Sequence, residues 1–150
     1  MKPNYLTILI TTLCIFFNAC HNSNTAPQLQ LADSLIDKRA DSALCILEKL
    51  SIEEISNKSA KAMYALLLTE ALDKNFKSHR NDSLILIAVD YYKDNSNNKL
   101  KTKAYYLGRV YQDNKEYIKA TEAYLTALKT ASPNQAPILQ IYNNLALCYE

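Results

Sequence analysis

The side chains best suited to recognition lie in the last third of the chain: Tyr105, Arg109, Gln112, Gln140 and Asn143. An arginine presents a planar fork that grips a carboxylate through two N–H donors, and an asparagine amide, donor and acceptor at once, suits the backbone of an extended peptide. Chemistry of bond making has no comparable set. The two histidines, His21 and His79, stand far apart, neither Cys-x-x-Cys nor His-Glu-x-x-His spacing occurs, and the single glycine, Gly108, cannot build a phosphate-cradling loop. Glu53 and Glu54 are adjacent on a polar stretch and read as solvated charges. No catalytic residue, metal or cofactor is therefore expected, and the chain reads as a non-enzyme.

What positions such residues must be helical. One Gly and four Pro in 150 residues leave little material for tight β-turns, while Ala, Leu, Lys, Glu and Gln crowd the long periodic stretches, as helices prefer. The expectation is an all-α chain of one domain or a short solenoid, since 150 residues bury only a modest core. Eleven Tyr without a Trp suit seams between helices, where an amphipathic ring buries its body and keeps its hydroxyl satisfied. Seventeen Lys and Arg against fifteen Asp and Glu are scattered and give a charge of +2, so no nucleic-acid partner is expected.

The N-terminus reads as an address. Lys2 precedes an apolar run from Tyr5 to Phe17, too short for the roughly 20 residues of a membrane span and matched to the core of a signal peptide. It ends Phe17-Asn18-Ala19-Cys20, which resembles the lipobox of bacterial lipoproteins, with Phe17 and Asn18 where that motif has Leu and a small residue. The resemblance implies removal of residues 1–19, acylation of Cys20 and a palmitate-type membrane anchor, with 20–27 as a polar tether and 28–150 as the folded part. Of the remaining cysteines, Cys45 and Cys148 sit among apolar neighbours and read as buried free thiols.

Along the mature chain the spacing predicts helices over 28–37 and, capped by Asp41, over 41–50. A polar connector, 51–58, leads to a helix over 59–74 that is apolar on so wide a face that it must be covered on both sides. Residues 75–81, with His79 among Lys77, Ser78 and Arg80, read as a solvated loop. A helix led by Asp82 follows, then a turn at 94–98.

The strongest pattern is Ala104, Leu107, Gly108, Tyr111, then Ala120, Tyr124 and Ala127, with Pro133 after it. Small residues facing large ones let two antiparallel helices cross closely. A second copy starts at Tyr142, with Leu145, Ala146 and Tyr149, offset by 38 positions, the extra length falling in the loop at 132–137.

These residues resemble the tetratricopeptide repeat (TPR), whose template spans roughly 34 residues. With Tyr64 to Ala71, Asp82 to Ile85, Ala88 to Tyr92 and Lys103 to Tyr111, the chain is similar to bacterial cell-envelope TPR lipoproteins, well from Leu100 onward and loosely before it. The resemblance implies stacked helix hairpins in a right-handed solenoid, lipid-tethered and facing the periplasm, that binds a protein or peptide. Its groove would be lined by the first helix of each repeat: Thr102, Tyr105, Arg109 and Gln112, then Gln140, Asn143 and Leu147. A second reading is the extracytoplasmic sensor part of a signalling receptor or transcriptional regulator with its output beyond residue 150; a third is an enzyme that carries the repeats as an accessory. The last repeat ends after one helix, so truncation at 150 is expected.

Overall fold

The computed structural model of the chain describes residues 25–79, 81–93, 99–130 and 138–149. The signal segment, Cys20, most of the tether, the turn at 94–98, the loop at 132–137 with Pro133, and the side chain of Thr102 lie outside them.

The described residues are all-α: helices α1 (Ala26–Leu35), α2 (Ala40–Leu47), α3 (Lys58–Lys74), α4 (Ser83–Tyr92), α5 (Lys99–Asp113), α6 (Tyr117–Thr130) and α7 (Ile138–Cys148), with a 3-10 turn at Ile52–Glu54. Helix α1 begins inside the stretch read as tether, because Pro27 fits the first turn, where its fixed φ suits the helix and its missing N–H is no loss. Asp41 does not cap α2. The helix starts one residue earlier behind Arg39, which makes no side-chain cap, and Asp41 lies in the first turn beside unpaired N–H groups that favour a carboxylate. At α3 the cap is Asn57, whose side chain accepts the Ala60 N–H at 3.0 Å, an arrangement that stabilises a helix by about 1 kcal/mol. The connector before it is not purely polar, since the 3-10 turn delivers Ile55 fully into the core.

Helices α3 and α5 end in the same way. Phe76 N–H donates to the Asp73 carbonyl at 3.0 Å and Lys77 N–H to Leu72 at 2.9 Å; Lys115 N–H donates to Gln112 at 3.0 Å and Glu116 N–H to Tyr111 at 2.8 Å. This paired closure turns the chain through one left-handed residue, Phe76 (φ 54°) or Lys115 (φ 62°). Ile85 and Ala88 stand as far beyond Phe76 as Tyr124 and Ala127 stand beyond Lys115, and Thr69 precedes Phe76 by the same interval as Gly108 precedes Lys115. All four of Ile85, Ala88, Tyr124 and Ala127 are buried. The α3/α4 hairpin thus shares its closing turn and the spacing of its buried residues with α5/α6, where the sequence shows only loose similarity.

Three apolar clusters follow one another along the chain. Leu29, Ala32, Leu44, Leu47, Ile55 and Leu67 join α1, α2 and α3. Ala62, Ala65, Leu66, Ile85, Ala88 and Val110 join α3, α4 and α5. Ala104, Ala120, Tyr124, Ala127, Ile141 and Leu145 join α5, α6 and α7. Helix α3 contributes to two clusters and so is covered on two faces, as its wide apolar surface requires. Besides pairing within hairpins, α1 lies beside α3 and α3 beside α5. Cys45 is exposed and Cys148 half-buried, both free, which corrects the reading of two buried thiols: apolar neighbours in sequence do not fix which face a residue occupies, and α2 turns Cys45 to the surface while Cys148 packs only at the margin of the third cluster.

Candidate functional site

The seam between α3 and α5 is polar at its open side. Glu70 on α3, 9% exposed, accepts a hydrogen bond from Tyr106 on α5 and pairs with Lys74 at 3.1 Å, and Lys74 also reaches Asp37 at 2.6 Å. Burial raises the Glu70 pKa and outweighs the lowering by Lys74. Desolvation lowers the Lys74 pKa, yet Asp37 and Glu70 together carry it upward. The partners of this pair therefore disagree on its benefit, and the reason is placement: Glu70 is the more buried of the two, and Lys74 has a second carboxylate.

A carboxyl whose pKa is raised on folding contributes stability below its unfolded pKa, and that contribution is lost as pH rises through the folded value. Ionised Glu70 thus costs stability at neutral pH. Glu70→Gln, which keeps an acceptor for Tyr106 and Lys74 but cannot ionise, is expected to melt no lower than the native chain at pH 7 and to lose part of the gain in stability on going to pH 5. Thermal melts at both pH values check this; a clear fall in Tm at pH 7 would mean that the charge itself is needed.

One helical turn further, Arg109 on α5 donates through Nε to Asp73 Oδ1 of α3 at 2.6 Å and through Nη1 to Gln112 Oε1 at 3.0 Å, with Asp113 Oδ1 3.8 Å from Nη2. Desolvation lowers the guanidinium pKa, but Asp73, with Tyr124 and Asp113, carries the net shift upward. His79 is not solvated. It is 6% exposed, its Nδ1 lies 2.8 Å from Asp113 Oδ2, its backbone N–H donates to the same oxygen at 3.1 Å, and its Nε2 is 3.2 Å from the Thr69 carbonyl. The loop after α3 is thereby fastened to the end of α5.

Above this lattice lies a cavity of about 280 Å³ lined by Asp73, Phe76, Tyr105, Arg109, Gln140, Asn143 and Asn144. Tyr105 and Arg109 of α5 and Gln140 and Asn143 of α7 are thus brought together. The Tyr105 phenol hydrogen-bonds Asn144, which ties α5 to α7, and burial raises its pKa. Gln112 does not line the cavity: its carbonyl oxygen is turned inward, accepting from Arg109 and, at 2.7 Å, from the buried Tyr124 hydroxyl of α6. Leu147 is exposed and is not part of the lining either.

Three lining residues were not legible. Asp73 and Phe76 belong to the preceding hairpin, and Asn144 sits next to the face chosen on α7. The one available signal was Phe76, a lone aromatic in the polar stretch from Asn75 to Asn81. A larger cavity of about 540 Å³ opens between α1 and the start of α3, lined by residues such as Leu29, Gln30, Ile55 and Met63, but the Asn57 side chain on its wall is already engaged as the cap of α3. Among the described residues no group of His, Cys, Asp and Glu is arranged to hold a metal ion.

Fold and cavity together define a class: the described residues are all-α, with antiparallel helix pairs and a cavity bounded by the end of α3, by α5 and by α7. The chain matches no known protein family, no curated protein and no solved structure.

Proposed function

We propose that the chain is a non-enzymatic scaffold of TPR-like hairpins that binds a protein or peptide, tethered to the bacterial cell envelope by a lipid on Cys20 and facing the periplasm. One observation carries the binding reading: Tyr105 and Arg109 on one first helix and Gln140 and Asn143 on the next, chosen from their positions in the repeat, line a single cavity. Support for the repeat comes from the crossing of Gly108 on Tyr124 and from the matched helix endings at Phe76 and Lys115. The cavity sets the amides of Gln140, Asn143 and Asn144 and the phenol of Tyr105 beside the Asp73–Arg109 pair, groups suited to recognising a peptide backbone.

A photo-reactive residue placed at Asn143 in the full-length protein, expressed in its own envelope, is expected to give a discrete protein adduct on irradiation. The same residue placed at the exposed Lys49 after α2, which does not line the cavity, should not. Equal adducts from both positions, or none from Asn143, would remove the cavity as the binding face.

A further inference from the structure

We propose that Phe76 is the anchor of this cavity and that its occupant is an uncharged internal stretch of peptide whose apolar side chain packs on the Phe76 ring. This rests on the reading of the chain as a peptide-binding scaffold and goes on to name the class of peptide and the residue that selects it.

Three observations lead there. First, Phe76 is 98% exposed, so its ring adds nothing to the packing of the described fold, and it occupies a left-handed backbone position, φ 54°, that glycine or asparagine takes at less cost. The matching position in the next hairpin holds Lys115, an exposed residue with no ring to place. A large aromatic held on unfavourable backbone, in water, at the rim of a cavity is in place to be covered by something else.

Second, the floor of the cavity is already neutral. Arg109 is bonded through Nε to Asp73 at 2.6 Å and through Nη1 to Gln112 at 3.0 Å, and Asp113 Oδ1 lies 3.8 Å from Nη2, so its charge is already countered within the fold. A ligand carboxylate would have to share Arg109 with Asp73 and Asp113 and meet their like charge, and Asp73, whose side chain is only 13% exposed, depends on Arg109 as its counter-charge. A ligand cation drawn to Asp73 meets Arg109 in turn. Charged ends and acidic segments are disfavoured on both counts, contrary to the carboxylate grip that the type of residue at position 109 suggests.

Third, the remaining wall offers amides. Gln140 and Asn143 are exposed and three positions apart on α7, hence on one face, and each presents a donor and an acceptor to a peptide backbone. At about 280 Å³ the space is at the lower limit of small-molecule sites, which run from roughly 300 to 1,000 Å³, so it takes a side chain of a longer segment and not a whole ligand.

The test uses the full chain and an array of ten-residue N-acetylated peptides, each made as the C-terminal amide and as the free acid. Bound peptides are expected to share an uncharged centre with an aromatic or long aliphatic residue and to bind as amides at least as well as free acids. Phe76→Gly is expected to weaken the affinity of the selected peptides by about tenfold or more, as loss of a binding anchor does. Its Tm should stay the same or rise, because glycine relieves the left-handed position; Phe76→Asn should behave alike. A residue with a merely structural role would lower both. Preference for free acids, or unchanged affinity in Phe76→Gly, overturns this proposal and leaves the scaffold reading standing. Binding to a glycan array with no peptide bound overturns both.

Discussion

Gly108→Val is expected to destabilise the fold by about 3 kcal/mol, at the upper end of what an inserted side chain costs in a packed core. A Cβ at Gly108 would lie 2.4 Å from Tyr124 Cε1, 2.5 Å from Cδ1 and 2.9 Å from Cζ, where ordinary carbon contacts need roughly 3.5 to 4.0 Å. The ring has no room to yield. Tyr124 is 0% exposed, its hydroxyl is held by Gln112 at 2.7 Å, and the Tyr105 ring lies 6.1 Å away between centroids. A helix interior ordinarily gains about 1 kcal/mol when alanine replaces glycine; here the overlap dominates, so Gly108→Ala should be destabilising as well. In the matching hairpin Thr69 occupies this place and Ile85 that of Tyr124, and a side chain is accommodated. Thermal melts decide the matter: for a domain of this size each kcal/mol moves Tm by about 2 to 8 °C. An unchanged Tm in Gly108→Val, or a higher one in Gly108→Ala, would remove the close crossing on which the repeat reading depends.

Cys20→Ser is expected to abolish incorporation of a fatty-acid probe completely and to leave residues 1–19 attached, since in the lipoprotein pathway that Phe17 to Cys20 resembles the cut is made before the acylated Cys. Serine offers no thiol for the lipid. The physical consequence of acylation is large: about 0.8 kcal/mol per buried CH₂ means that more than one chain on a single residue holds a protein firmly at a bilayer. Intact mass and probe labelling report the two events separately. Persistent labelling of Cys20→Ser, or cleavage at 19 in spite of it, would end the proposal of a lipid anchor.

The helices were readable because their cause is local. Apolar residues three and four apart put one face of each segment inward, and scarcity of Gly and Pro leaves the segments uninterrupted, so α3 and α4 fall where spacing puts them to within a residue or two. The ends were less readable. Asp41 and Asp82 have the right chemistry for caps, yet neither side chain makes a capping bond; at α4 it is Asn81 that accepts the Ser83 N–H, at 3.1 Å. Cap geometry depends on the φ and ψ of the residue before the helix, which side-chain identity does not specify.

The same division runs through the candidate site. Tyr105, Arg109, Gln140 and Asn143 could be grouped because equivalent places in two copies of one motif lie on equivalent faces, a matter of period alone. Their company could not. Asp73 comes to Arg109 from 36 positions away and Asp113 to His79 from 34, distances over which composition is silent and only the crossing of α3 and α5 brings partners into register. That crossing converted Arg109 from a free grip into one half of an ion pair and made His79 a buried clasp, while the packing of α6 on α5 drew Gln112 inward to the Tyr124 hydroxyl. The closing turn of α3 set Phe76 at the rim, in a left-handed conformation that no hydrophobic pattern announces. Periodicity and residue size, both short-range, therefore specified the hairpins and the Gly108 crossing; which polar groups remain open to a partner was settled by long-range packing, because each charge is claimed by whichever neighbour the fold brings within hydrogen-bond reach.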